Sequence, residues 1–191
     1  IMTAYGLPSV VVPAPRPNTA RHEAEPIAEI VDWLDGDAFE ICVSRLLPYK
    51  NVGEIVEAYT QEPSRRLVVV GTGPELERLR ELATPNVRFL QNISEGELAW
   101  LYEECTALIA ISYEDFGLTP LEAAAFGKPS LVLRWGGFLE TMVENVTAVF
   151  IEAPTAADVR DALPALDGRT WDAGRIVEHA ERFAEDVYIQ H

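Results

Sequence analysis

The sequence predicts an α/β fold, a parallel sheet with helices on both faces. Short apolar runs rich in Val, Ile and Leu recur between residues 39 and 151. Runs of that length, unbroken by alternation, read as strands buried on both sides. Stretches of helical apolar spacing separate them, and the turns between carry Gly, Pro, Asn and Ser, the residues that end strands and start helices. Strand and helix in regular alternation make βα units, which in series build an open, Rossmann-like parallel sheet.

In chain order, residues 1–38 are the least regular. Val10, Val11 and Val12 suit a short strand, Pro13, Pro15 and Pro17 interrupt regular structure, and Ile27, Ile30, Val31 and Leu34 follow helical spacing. This stretch reads as an entry segment or linker, and residues 39–191 as the domain proper. Strands are expected at 39–43, 67–70, 87–90, 107–111, 130–133 and 148–151. Helices are expected at 52–59, 75–83, 95–104, 120–126, 138–144, 156–163 and 173–187. Ser94 and Glu97 have the spacing of a capping box. Thr119, Pro120 and Glu122 have the spacing of a cap, a first-position proline and a capping-box acid, and Gly127 and Pro129 stop that helix.

Length and charge bound the function. A chain of 191 residues suits one domain that buries about 70% of its unfolded surface. A net charge of -16 argues against nucleic-acid binding and against adsorption to an anionic membrane, both of which need clustered Lys and Arg. Cys42 and Cys105 lie in apolar surroundings and read as buried free thiols of a reducing compartment. Neither has a Cys or His at metal spacing, and His22, His179 and His191 form no cluster, so no metal site is expected. No signal peptide, lipidation motif or long apolar run appears in the sequence, which reads as soluble and cytoplasmic.

The loops at the carboxyl ends of the strands are where an open parallel sheet binds ligands. The first, Ser44 to Asn51, carries Arg45 and Lys50 at its two ends; both could converge on one anion at a helix start, or both could be solvated surface charges. The second, Gly71-Thr72-Gly73-Pro74, resembles the start of a dinucleotide fingerprint, but Leu76 stands where the third glycine belongs and Leu90-Gln91-Asn92 where a ribose acid belongs. A tight turn that lets a ligand approach the backbone fits better. The third runs through Ile93 and could lie against a nucleobase. The fourth, Ser112 to Thr119, holds Glu114 and leads through Phe116, Gly117 and Leu118 to a helix start carrying Glu122. Backbone N–H groups at that start suit an anion, and two carboxylates beside it suit a ligand rich in hydroxyls, as a sugar nucleotide is. Plainer roles are a solvated loop acid for Glu114 and a cap for Glu122.

Taken together, Ser44-Arg45-Leu46 with Lys50-Asn51, Val70-Gly71-Thr72-Gly73-Pro74, Asn86 to Leu90, Glu114 to Ala123 and Gly136-Gly137-Phe138-Leu139-Glu140-Thr141 resemble the retaining glycosyltransferases of family four (glycosyl transferases group 1). The resemblance covers residue 39 onwards and is to the C-terminal, nucleotide-sugar-binding half of a two-domain GT-B enzyme. Glu114 and Glu122 resemble the E-x7-E motif of that family, and the segments around them are most similar to bacterial mannosyltransferases of polysaccharide and O-antigen assembly.

The resemblance implies roles. Arg45 and Lys50 would hold the diphosphate and stabilise the departing nucleoside diphosphate, each as a charged hydrogen bond of about 1.5 to 3 kcal/mol. Glu114 would bind donor-sugar hydroxyls, and the N–H groups of Phe116, Gly117 and Leu118 would contact sugar and phosphate. Thr119 would lie at the phosphate end of the helix, Glu122 would take the ribose hydroxyls, Ile93 would touch the base through its backbone, and Gly71 and Gly73 would line the donor site. The donor would be GDP- or UDP-linked, GDP-mannose among the candidates, with no cofactor and no metal. A glycan or lipid-linked acceptor would be bound by an N-terminal domain that this chain has no room for, leaving a fragment inactive alone, from a protein that could sit peripherally at the inner membrane face. Two other readings stand beside it: a non-catalytic nucleotide-binding module, and a dinucleotide-dependent oxidoreductase domain.

Overall fold

The computed structural model describes residues 19–184. The expected strand at 10–12, the prolines before residue 18 and the last part of the expected helix at 173–187 lie outside the described residues.

Six strands, β1 (Phe39–Val43), β2 (Arg66–Val70), β3 (Val87–Leu90), β4 (Ala107–Ala110), β5 (Ser130–Leu133) and β6 (Ala148–Ile151), form one sheet. Every pairing is parallel, and the order is β3-β2-β1-β4-β5-β6. The helices are α1 (Ala28–Leu34), α2 (Val52–Thr60), α3 (Leu76–Leu82), α4 (Glu95–Glu104), α5 (Leu118–Ala125), α6 (Phe138–Thr141), α7 (Ala156–Asp167) and α8 (Ala173–Glu181).

Because successive strand side chains point to opposite faces, each strand feeds two cores. Leu67 and Val69 of β2 pack with Ile55 and Tyr59 of α2, Leu79 of α3 and Val159 and Leu163 of α7. Val68 and Val70 of the same strand turn the other way, toward Ile30 and Leu34 of α1 and Leu101 and Tyr102 of α4. The sheet is therefore covered on both sides, as its continuous apolar strands require. Ile27, the residue ahead of α1, and Ile30 and Leu34 within it are buried together with Phe39 and Ile41.

The expected capping box forms at Ser94, where the hydroxyl accepts from the Glu97 N–H and the Glu97 carboxylate accepts from the Ser94 N–H. The start of α5 differs from expectation. The helix begins at Leu118 with Gly117 as N-cap at φ 81°, and no side chain caps it. A Cβ at Gly117 would lie 2.4 Å from Cε1 of Phe138, so packing against α6 sets this start two residues early. Thr119 thereby becomes the second helical residue and Pro120 the third, where the missing N–H still costs no helical hydrogen bond. Hydrogen bonds from Gly127 to Ala124 and from Lys128 to Ala123 close the far end as a Schellman motif.

Candidate functional site

In a sheet of this order the strand sequence reverses direction between β1 and β4, and the loops leaving those two strands diverge to open a crevice. A cavity of about 390 Å3 lies there. Its lining includes Cys42, Ser44, Arg45 and Lys50 from the β1 side and Ser112, Glu114, Phe116, Gly117, Leu118 and Thr119 from the β4 side. Positions 45 and 50, 114, and 116 to 119 thus converge on one space.

Two loops build it. On the β1 loop, Arg45 donates to the Tyr49 hydroxyl at 3.0 Å, and the Lys50 ammonium lies 5.0 Å from the centre of the Tyr49 ring. Tyr49 thus holds both cations, one by its hydroxyl and one by its face. Asn51 donates to the Ile111 carbonyl at 3.0 Å and ties this loop to the end of β4. On the β4 loop, Glu114 Oε1 accepts from the Ser112 hydroxyl at 2.8 Å and forms an ion pair with Lys50. Phe116 is backed by Phe183, and its carbonyl accepts from the Thr141 hydroxyl at 3.3 Å. Gly137 donates to the Glu114 carbonyl at 2.8 Å, and a Cβ on Gly136 would lie 2.3 Å from that oxygen. The glycine turn ahead of α6 is therefore seated directly against the Glu114 loop.

The remaining expected residues lie outside the cavity lining. Glu122 is buried one turn into α5 and accepts from the Tyr102 hydroxyl at 2.8 Å. This contact, and a helix that starts at Leu118, remove the capping-box role for Glu122. Ile93 packs its side chain on the core beneath α1 and α4. The space above Gly71 and Gly73 is filled by the chain itself: a Cβ on Gly71 would sit 1.8 Å from the Ser44 carbonyl oxygen, and one on Gly73 would sit 2.3 Å from that of Leu46. What approaches these glycines so closely is the β1 loop, held by the Leu46 N–H donating to the Thr72 carbonyl at 2.8 Å.

Chemically, the cavity sets a guanidinium and an ammonium against a carboxylate that two donors already hold. The first N–H groups of α5 have no partners within the helix, and the residues that carry them, Gly117, Leu118 and Thr119, line the same space. Such a site fits a ligand with anionic and hydroxyl-bearing parts. Burial pushes the Cys42 thiol up to about 12, with only partial relief from Lys50, so it lines the cavity as a neutral thiol. Among the described residues there is no group of His, Cys, Asp or Glu that could hold a metal ion, and no helix long and apolar enough to cross a membrane.

Residues 24–166 match the family profile described as glycosyl transferases group 1. The chain belongs to this family. It is 32% identical over 143 residues to the GDP-mannose-dependent alpha-(1-6)-phosphatidylinositol monomannoside mannosyltransferase of Mycobacterium tuberculosis, a match covering 66% of this chain and 37% of that protein. It is 31% identical over 162 residues to the D-inositol 3-phosphate glycosyltransferase of Corynebacterium aurimucosum, covering 74% and 38% of the two chains. In structure it resembles Anabaena HepE in complex with UDP-glucose, with a TM-score of 0.76, 19% identity and coverage of 92% of this chain and 54% of that one. Sucrose-phosphate synthase from Thermosynechococcus elongatus shares the fold at the same TM-score of 0.76 and 23% identity, with 95% and 50% covered. The chain spans less than half the length of the relatives it matches in sequence and about half that of these structures.

Tyr49, Ser112 and Asn51 complete the site in ways the sequence reading did not assign. Tyr49 and Asn51 flank Lys50 and Ser112 stands two residues before Glu114, so proximity in sequence was the available signal.

Proposed function

We propose that this chain is the donor-binding half of a retaining glycosyltransferase that moves a hexose from a nucleoside diphosphate to a glycan or lipid-linked acceptor. The observation that carries the reading is the meeting of Arg45, Lys50 and Glu114 in one cavity at the β1/β4 crevice, in a chain of the glycosyl transferases group 1 family. Arg45 and Lys50 bind the diphosphate and offset the charge that develops on it as the sugar departs. The N–H groups at the start of α5 add to that field. Glu114 accepts from donor-sugar hydroxyls and fixes the ring near the reacting carbon. Glu122, its carboxylate oriented by Tyr102, takes the ribose hydroxyls, and the backbone at Ile93 meets the base. The transition state is oxocarbenium-like, and stabilisation of the leaving group replaces a protein nucleophile. The donor is GDP- or UDP-linked, as the GDP-mannose-dependent relative and the UDP-glucose complex suggest, with mannose a leading candidate for the sugar. Neither a metal nor a cofactor takes part. The acceptor site lies on a second, N-terminal domain, as the coverage of the relatives suggests, and the whole enzyme works on the cytoplasmic side. Alone, this half binds donor without transferring it.

The reading is tested by calorimetry and thermal shift with GDP, UDP, ADP, CMP and NAD on the 191-residue chain and its Arg45→Ala and Lys50→Ala variants. One nucleoside diphosphate is expected to bind, and each variant to weaken it roughly 10- to 100-fold, as loss of a charged hydrogen bond implies. Binding of NAD alone, or affinity unchanged in both variants, would remove the donor-site assignment.

A further inference from the structure

Lys50 and Glu114, the groups proposed above for the phosphate and the sugar of the donor, form an ion pair with each other. Their side chains are 12% and 24% exposed, so the ion pair is largely withdrawn from solvent. Ser112 donates to the same carboxylate oxygen, and the Tyr49 ring backs the ammonium from 5.0 Å. The pair is thus held from both ends, and a phosphate that draws on Lys50 competes with Glu114 for it.

We infer that this ion pair makes the site discriminate between a nucleotide sugar and the same nucleoside diphosphate without its sugar. The inference rests on the donor-site reading above. When a nucleotide sugar enters, Lys50 passes to the phosphate and the sugar hydroxyls take its place on Glu114, so both groups end with partners. When a bare nucleoside diphosphate enters, Lys50 leaves and Glu114 stays behind, partly buried, without its cation and beside a polyanion. An uncompensated charge in such a place is strongly disfavoured. Glu114 therefore belongs to the selectivity of the site as well as to sugar binding. Once the sugar has been transferred, the carboxylate recaptures Lys50 and helps the leaving nucleotide out.

Glu114→Gln removes the charge, keeps the shape and leaves a carbonyl for Ser112. Calorimetry on wild type and variant would use GDP with GDP-mannose and UDP with UDP-glucose. In parallel, Lys50 would be labelled with an amine-specific reagent in the empty chain and read by mass spectrometry. The variant should bind the bare nucleotide about tenfold more tightly and the nucleotide sugar more weakly, and its Lys50 should label several-fold faster. An unchanged ratio between bare and sugar-bearing ligand would overturn the inference. So would tighter binding of the bare nucleotide without faster labelling, because loss of repulsion alone would then account for it. If wild type binds none of the four ligands, the donor-site reading itself fails, a result separable from either of those.

Discussion

Glu122 shows how a side chain's surroundings outweigh its spacing. Its position after Thr119 fits a capping box, yet the structure buries it and gives it the Tyr102 hydroxyl from a neighbouring helix. Tyr102 is itself fully enclosed, and that burial, followed by the nearby Glu122 charge, drives its phenol well above the usual range. It therefore stays protonated and donates at any physiological pH. Tyr102→Phe should destabilise the chain by about 1 to 3 kcal/mol, the range for stripping a donor from a buried charged acceptor. A urea midpoint unchanged from wild type would show that the bond contributes nothing. Glu114, Arg45 and Lys50 were legible as candidates because each stands in a loop leaving a strand. Their mutual contacts were not legible, since the partner of Lys50 lies 64 positions away.

Elements were read more securely than their ends. Strands β1, β3, β5 and β6 have the limits that their apolar runs suggest, because a buried parallel strand needs no alternation to be recognised. Helix α5 starts early because Phe138 packs on Gly117, and α6 ends at Thr141 where a longer helix was expected; both limits depend on contacts made after folding. The Gly71-Thr72-Gly73 turn carries the same lesson. Its glycines suggested room for a ligand, and the structure fills that room with the carbonyls of Ser44 and Leu46. The turn thereby fixes the loop that presents Arg45. Gly73→Ala would force its Cβ against backbone that cannot rotate aside, so we expect a loss of at least about 2 kcal/mol, comparable to overpacking in a core. Weaker nucleotide binding should accompany it, as the Arg45 loop shifts. A variant with wild-type melting and affinity would mean that the two loops are not coupled.

At the scale of the molecule, the alternation of strand and helix was enough to predict a parallel sheet, while the order of the strands was not, because each crossover can run to either side of the sheet. The charge balance has a consequence at this scale too. A chain at -16 repels itself in the compact state. Raising ionic strength from 10 mM to 150 mM shortens the screening length from about 30 Å to about 8 Å, so the melting temperature should rise over that interval; a fall would show that local ion pairs such as Arg65 with Glu40 and Asp167 outweigh the global field.

The crevice lies between β1 and β4, neighbours in the sheet but separated in sequence by β2 and β3. A ribosome has therefore delivered the cations of the site long before the carboxylate that answers them, and no partial chain ending before β4 can possess it. Severed in the loop between β3 and α4, the molecule would leave Arg45 and Lys50 on one piece and Glu114 on the other, with the pairing of β1 and β4 and the two shared cores left to bring them together.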